Sequence, residues 1–197
     1  MTNNYKSKRG KMNKTVKLLM LSDVFIYSGL GLISPIMAIF ISGIKGGSIS
    51  SVGIASAIYL ITRSIFQIFL SRVFNPKDRL WMLKLGTLLT ILVPIGYILS
   101  TNVIHIYLTQ LLYGVAAGFA FPSWYSLFVC NLEKGKQGSQ WSVYSASVSI
   151  CMAIAAYLGA LLVQSYNFKL VFVLTGLIAL FGFLILFGLE KKVLKKT

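Results

Sequence analysis

The sequence predicts an all-α membrane protein, a single bundle of six transmembrane helices. Three observations carry that prediction. Of 197 residues, 56 % are hydrophobic and only 12 % charged, against roughly 45–50 % and 25 % in a soluble domain, and the mean hydropathy is +0.79. So little charge cannot build a water-facing surface. The apolar residues fall into six runs of about 20, the length that crosses a hydrocarbon core. The charges lie between these runs and in the tails instead of along a helix face, which argues against nucleic acid as the partner of a chain with net charge +15.

Residues 1–16 form a basic tail. It is too long and polar for a secretory signal peptide. The run after it is too long for a signal's apolar region and has no small-residue cleavage site, so it reads as a retained first span, 17–42, with Asp23, Tyr27 and Ser34 along one stripe. The second span, 51–74, carries Ser56, Tyr59, Arg63, Gln67 and Ser71 at intervals of three and four, a single polar face opposite isoleucine, leucine and phenylalanine. The third, 80–100, has little polarity beyond Lys84, Thr87 and Thr90. The fourth, 103–128, carries Gln110, Tyr113 and Gly114, and the fifth, 140–165, carries Gln140, Tyr144, Ser147 and Cys151. The sixth, 168–189, has one threonine in an otherwise apolar run, and 191–197 is a second basic tail. The runs are too long for barrel strands, and lipid requires every backbone group to be satisfied internally, so all six are helices. The simplest arrangement gathers spans 1, 2, 4 and 5 around a shared polar interior and turns spans 3 and 6 to lipid.

Basic residues set the direction of threading. They crowd the N-terminal tail, the second and fourth connections (Arg72, Lys77, Arg79; Lys134, Lys136) and the C-terminal tail, while the opposite side has Lys45 and Lys169. Both termini are therefore expected in the cytoplasm, with the protein in the plasma membrane. Trp81, Trp124 and Trp141 fall near the cytoplasmic ends of spans, as an interfacial aromatic belt would place them. Cys130 and Cys151 lie in or beside apolar runs and form no disulfide or metal framework.

Two charges, Asp23 and Arg63, lie deep within spans, whereas Lys84 can snorkel from the start of the third. Taking the helical rise of about 1.5 Å per residue, Arg63 sits about 13 Å above Arg72, near the midplane, and Asp23 about 9 Å above Lys17. An unpaired charge at that depth costs at least about 2.5–3.5 kcal/mol. The expectation is an Asp23–Arg63 pair across the first two spans with Gln67 as a supporting donor, serving either a hydrated translocation cavity or a static lock between helices. The first span also contains YSGLGLISP and the fourth YGVAAGFAFP, each with a tyrosine, two glycines and then a proline. Matching Gly/Pro-interrupted helices are what a 3+3 inverted repeat produces, although Gly114 and Gly118 equally suit close helix packing.

The stretches GLGLISPIMAIFI, SVGIASAIYLITRSIFQ, SRVFNPKDRLWMLKLG and IYLTQLLYGVAAGFAFPSW are similar to those of the major facilitator superfamily. Over about 17–190 the chain resembles the N-terminal six-helix half of such a transporter. Some signatures depart from the family's. The connection after the second span has Asn75–Pro76 where the family has glycine, and Gln110 stands where it has an arginine four residues before Gly114. Gly159 stands alone where its antiporters have a glycine–proline–glycine pattern.

The resemblance implies a secondary transporter that moves a small organic solute by alternating access through a path between two six-helix halves. The residues expected to line that path are Asp23, Tyr27, Arg63, Gln67, Gln110, Tyr113 and Tyr144. The expected partners are membrane lipid, the solute, and either a second copy of the chain, giving a homodimer, or a separately encoded second half. The alternative is a non-transporting membrane protein that reuses the fold, a degenerate half-transporter or an interaction module. Nothing points to an enzyme, a cofactor or a metal: there is no HExxH, no GxSxG and no paired carboxylates, and His105 is the lone histidine.

Overall fold

The computed structural model describes residues 12–73 and 79–189. The tail residues before 12 and after 189, the 74–78 part of the second connection and the side chains of Ser71 and Val73 lie outside the described residues. The helices are α1 (Lys14–Ile33), α2 (Met37–Gly43), α3 (Ile49–Val73), α4 (Arg79–Leu99), α5 (Val103–Asn131), α6 (Gln137–Ser165) and α7 (Phe168–Ile185), the last followed by a 3-10 turn, Leu186–Gly188. Six of them are long and apolar enough to cross a membrane. All six expected spans are present, the first in two pieces.

Local chemistry sets these boundaries. Asn13, Asn102 and Asn167 begin α1, α5 and α7, and their side chains accept from Thr15 N, from Ile104 N and His105 N, and from Leu170 N. Asparagine suits this position because its amide oxygen satisfies a free N–H of the first turn. α1 ends where Pro35 has no N–H to donate and its ring crowds the preceding turn. Ser34 N still reaches Leu30 O at 3.0 Å, and the helix resumes at Met37. Pro122, its counterpart in the repeated pattern, lies inside α5 without a break.

The helices pair in a crossed pattern. α1 packs on α6 and α7, α5 packs on α3 and α4, and α4 meets α7. The first helix of each three-helix set thus lies against the second and third of the other set, as an inverted repeat requires. Glycines permit the close approaches. A Cβ on Gly114 would stand 2.6 Å from Thr62 Cβ, one on Gly118 2.5 Å from Phe66 Cβ, and one on Gly159 would strike the carbonyl of Leu32. Of the two readings of the glycine motif, packing accounts for Gly114 and Gly118.

The expected placement of spans is corrected. α4 and α7 have 44 % and 33 % of their central stretches buried, whereas α3 and α6 have 6 % and 11 %. Low polarity had suggested lipid exposure for the third and sixth spans, but helix–helix contacts inside a bilayer are apolar as well. The buried threonines of these helices are satisfied within the bundle. Thr87 and Thr90 donate to Leu83 O and Gly86 O of their own helix, and Thr175 of α7 donates to Gly29 O at 3.1 Å. The most exposed spans are the second and fifth. Two apolar clusters result, one around Leu19, Leu83, Trp124 and Phe128, the other around Ile41, Tyr97, Ile106 and Phe172.

Candidate functional site

A cavity of about 150 Å³ draws its walls from both clusters and from five helices. α1 supplies Ser22, Asp23, Ile26, Tyr27 and Leu30, spaced by helical turns along one face. α3 supplies Tyr59 and Arg63, and α4 supplies Leu83, Thr87 and Thr90. α5 supplies Tyr113, Ala117, Ala120, Phe121 and Trp124, and α6 supplies Tyr144. Of the residues singled out from sequence, Asp23, Tyr27, Arg63, Tyr113 and Tyr144 therefore share one cavity.

Gln67 and Gln110 do not line it. Gln67 lies one turn beyond Arg63 on α3, its Nε2 shielded and without a hydrogen-bond partner, so it supports no charge pair. Gln110 is buried on α5, one turn from Tyr113 towards the helix start. Tyr59, Thr87, Thr90, Phe121 and Trp124 were not among the path residues expected from sequence. Tyr59 was visible in the polar stripe of the second span; the others carried no sequence signal that separates them from packing residues.

Asp23 and Arg63 do not form the expected ion pair. The Asp23 carboxylate accepts from the Tyr144 hydroxyl across the α1–α6 interface. Arg63 donates through Nη1 to the Tyr59 hydroxyl at 3.3 Å, one turn back on its own helix, and its guanidinium lies 4.7 Å from the centre of the Phe121 ring. A hydroxyl donor on the anion and a π face beneath the cation each offset part of the cost of desolvation. The two charges face the same space, each held by aromatic neighbours.

Aromatic packing fixes the surrounding walls. Tyr59 and Tyr113 stack with centroids 4.4 Å apart and planes 19° from parallel, an approach opened by Gly114, where a Cβ would stand 2.8 Å from Tyr59 O. Trp124 stacks on Phe128 at 4.7 Å, touches the Tyr144 ring, and donates through Nε1 to Leu19 O. It is buried, at 5 % exposure, so the interfacial placement expected for it is corrected; Trp81 and Trp141 are exposed. Among the described residues no group of three His, Cys, Asp or Glu could hold a metal ion. The arrangement offers one carboxylate, one guanidinium and several flat apolar faces within reach of a small molecule.

Residues 19–197 match the Major Facilitator Superfamily. Among curated proteins, the chain is 30 % identical over 169 residues to Multidrug resistance protein 2 of Bacillus subtilis, covering 85 % of this chain and 42 % of that one. It is 20 % identical over 176 residues to an uncharacterized MFS-type transporter of Methanocaldococcus jannaschii, covering 89 % of this chain and 45 % of that one. The chain spans a little under half the length of the curated relatives it matches. With the six spans, the crossed pairing of two three-helix sets and a match covering nearly its whole length, the chain belongs to the Major Facilitator Superfamily.

Proposed function

We propose that this protein is part of a secondary transporter that moves a small organic solute across the plasma membrane by alternating access, with both termini in the cytoplasm. The observation that carries this reading is the cavity in which Asp23 and Arg63 face the same space without pairing. Charges at such depth in a bundle are retained for ligands, ions or charge relay far more often than for packing. The name of the Methanocaldococcus jannaschii relative, an MFS-type transporter, supports the same reading. Asp23, Tyr27, Arg63, Tyr113 and Tyr144 line the path in this account; Gln67 and Gln110 stand one turn away, beside it.

The exposed α3 and α6 are covered by a second six-helix unit, a copy of the chain or a separate half, related by a two-fold axis along the membrane normal. Proteoliposomes loaded with the purified chain, alone and with any partner that co-purifies, are tested for uptake of labelled organic solutes. Uptake that falls at least about tenfold in both Asp23→Asn and Arg63→Gln supports the proposal. Uptake unchanged in both would remove these residues from the path, and no uptake under any pairing would favour a non-transporting role.

A further inference from the structure

We propose that the cavity recognises a dipolar solute, one that carries an ammonium and a carboxylate on a small flat apolar body. This inference rests on the transporter reading and narrows it to a substrate class. It starts from what each charge leaves free. Tyr144 occupies only Oδ2 of Asp23, and among the described residues Oδ1 has no hydrogen-bond partner. Tyr59 takes only Nη1 of Arg63, and the remaining guanidinium N–H groups make no hydrogen bond to a described residue. One wall thus retains an anionic acceptor and another retains cationic donors, in a space whose formal charges sum to zero.

A singly charged solute would satisfy one of these groups and face a like charge at the other. At this depth like-charge juxtaposition is expensive, so the cavity selects against simple cations and simple anions alike. A solute carrying both charges meets both groups at once. Its ammonium end lies beside Asp23, in a space whose lining also includes the aromatic residues Tyr27, Trp124 and Tyr144. Its carboxylate end lies at Arg63, whose fork suits a planar anion. The apolar body is small. A cavity of about 150 Å³ caps that body at one benzene-sized ring, and stacked Tyr59 and Tyr113 supply a flat wall for it.

The test is a deletion series on one carbon skeleton, measured by titration calorimetry with the full chain in lipid nanodiscs. Phenylalanine carries both charges, phenethylamine only the ammonium, and 3-phenylpropionate only the carboxylate. Phenylalanine is expected to bind at least about tenfold tighter than either single-charge compound. Asp23→Asn should weaken phenylalanine and phenethylamine and leave 3-phenylpropionate no weaker; Arg63→Gln should weaken phenylalanine and 3-phenylpropionate and leave phenethylamine no weaker. Phenylalanine binding no tighter than the better of the other two overturns the proposal, as does the absence of binding by all three. The wild-type series decides the matter even if a variant fails to fold.

Uptake into proteoliposomes is scored separately. Transport of phenethylamine with phenylalanine excluded would overturn the dipolar class and keep the transporter. Selective binding of phenylalanine, with no uptake of any solute, would support the class and overturn the transporter.

Discussion

The Tyr144 hydroxyl of α6 donates to the Asp23 carboxylate of α1 across 121 residues of sequence. The bond joins the first helix of one three-helix set to the second helix of the other, and it lies in the wall of the cavity. A hydrogen bond to a charged acceptor contributes about 1.5–3 kcal/mol when shielded from water. Tyr144→Phe is therefore expected to destabilise the protein by about 1–2 kcal/mol, read as a lower midpoint of thermal unfolding in nanodiscs. In a double-mutant cycle with Asp23→Asn the two losses should be strongly non-additive. Simple additivity would mean that the contact contributes nothing of its own.

Arg63 over Phe121 gives a second expectation. A cation above an aromatic face contributes about 0.5–2 kcal/mol, depending on desolvation. Phe121→Leu should destabilise the protein and Phe121→Trp should not, with unfolding midpoints as the readout. If Phe121→Leu in an Arg63→Gln background cost as much as in the wild type, packing alone would explain the contact.

The α3–α5 seam depends on missing side chains. Gly114→Ala would drive a methyl group to 2.6 Å from Thr62 Cβ, an overpacking that costs about 1–3 kcal/mol. Gly53→Ala, on the same seam's outer helix with nothing within 4 Å of the new Cβ, should shift stability by less than about 1 kcal/mol. The difference between the two alanines in unfolding midpoint or purified yield measures the closeness of the helices. Equal effects would contradict the seam.

The threading direction is tested by cysteine labelling after Cys130 and Cys151 are replaced by serine. Lys45→Cys should react with an impermeant maleimide added to intact cells, and Lys134→Cys only after the membrane is opened. The reverse pattern would invert the orientation inferred from the basic connections.

The spans could be read directly from the sequence because lipid imposes a minimum length on each. Pro35 and Pro122 share one sequence pattern, yet α1 ends just before Pro35 while α5 runs on through Pro122. Asp23 and Arg63 were visible because charges within apolar runs are rare. Helical spacing shows which residues share a face, not which way that face turns or how far along it a cavity extends. Gln110 and Tyr113 lie in one stripe, yet only Tyr113 reaches the cavity. Thr87 and Thr90 give no such signal, because two threonines in an apolar helix look the same whether they face lipid or a neighbour. The place of Trp124 near a span end predicts an interfacial ring; its burial follows from the packing of Phe128 and Tyr144 around it, which no local pattern encodes.

The interruption at Pro35 has a mechanical consequence. The segment beyond it, α2, is held at its middle and just past its exit. Phe40 wedges against Phe168 and Phe172 at 5.3 and 4.9 Å, and the strand of chain leaving α2 is stitched to the start of α5, where Val103 N donates to Lys45 O at 3.0 Å. A lever with a joint at the proline and its tip sewn to a neighbour cannot swing by itself. The chain after Pro35 therefore ties the first helix of one set to the start of the first helix of the other on the Lys45 side of the membrane.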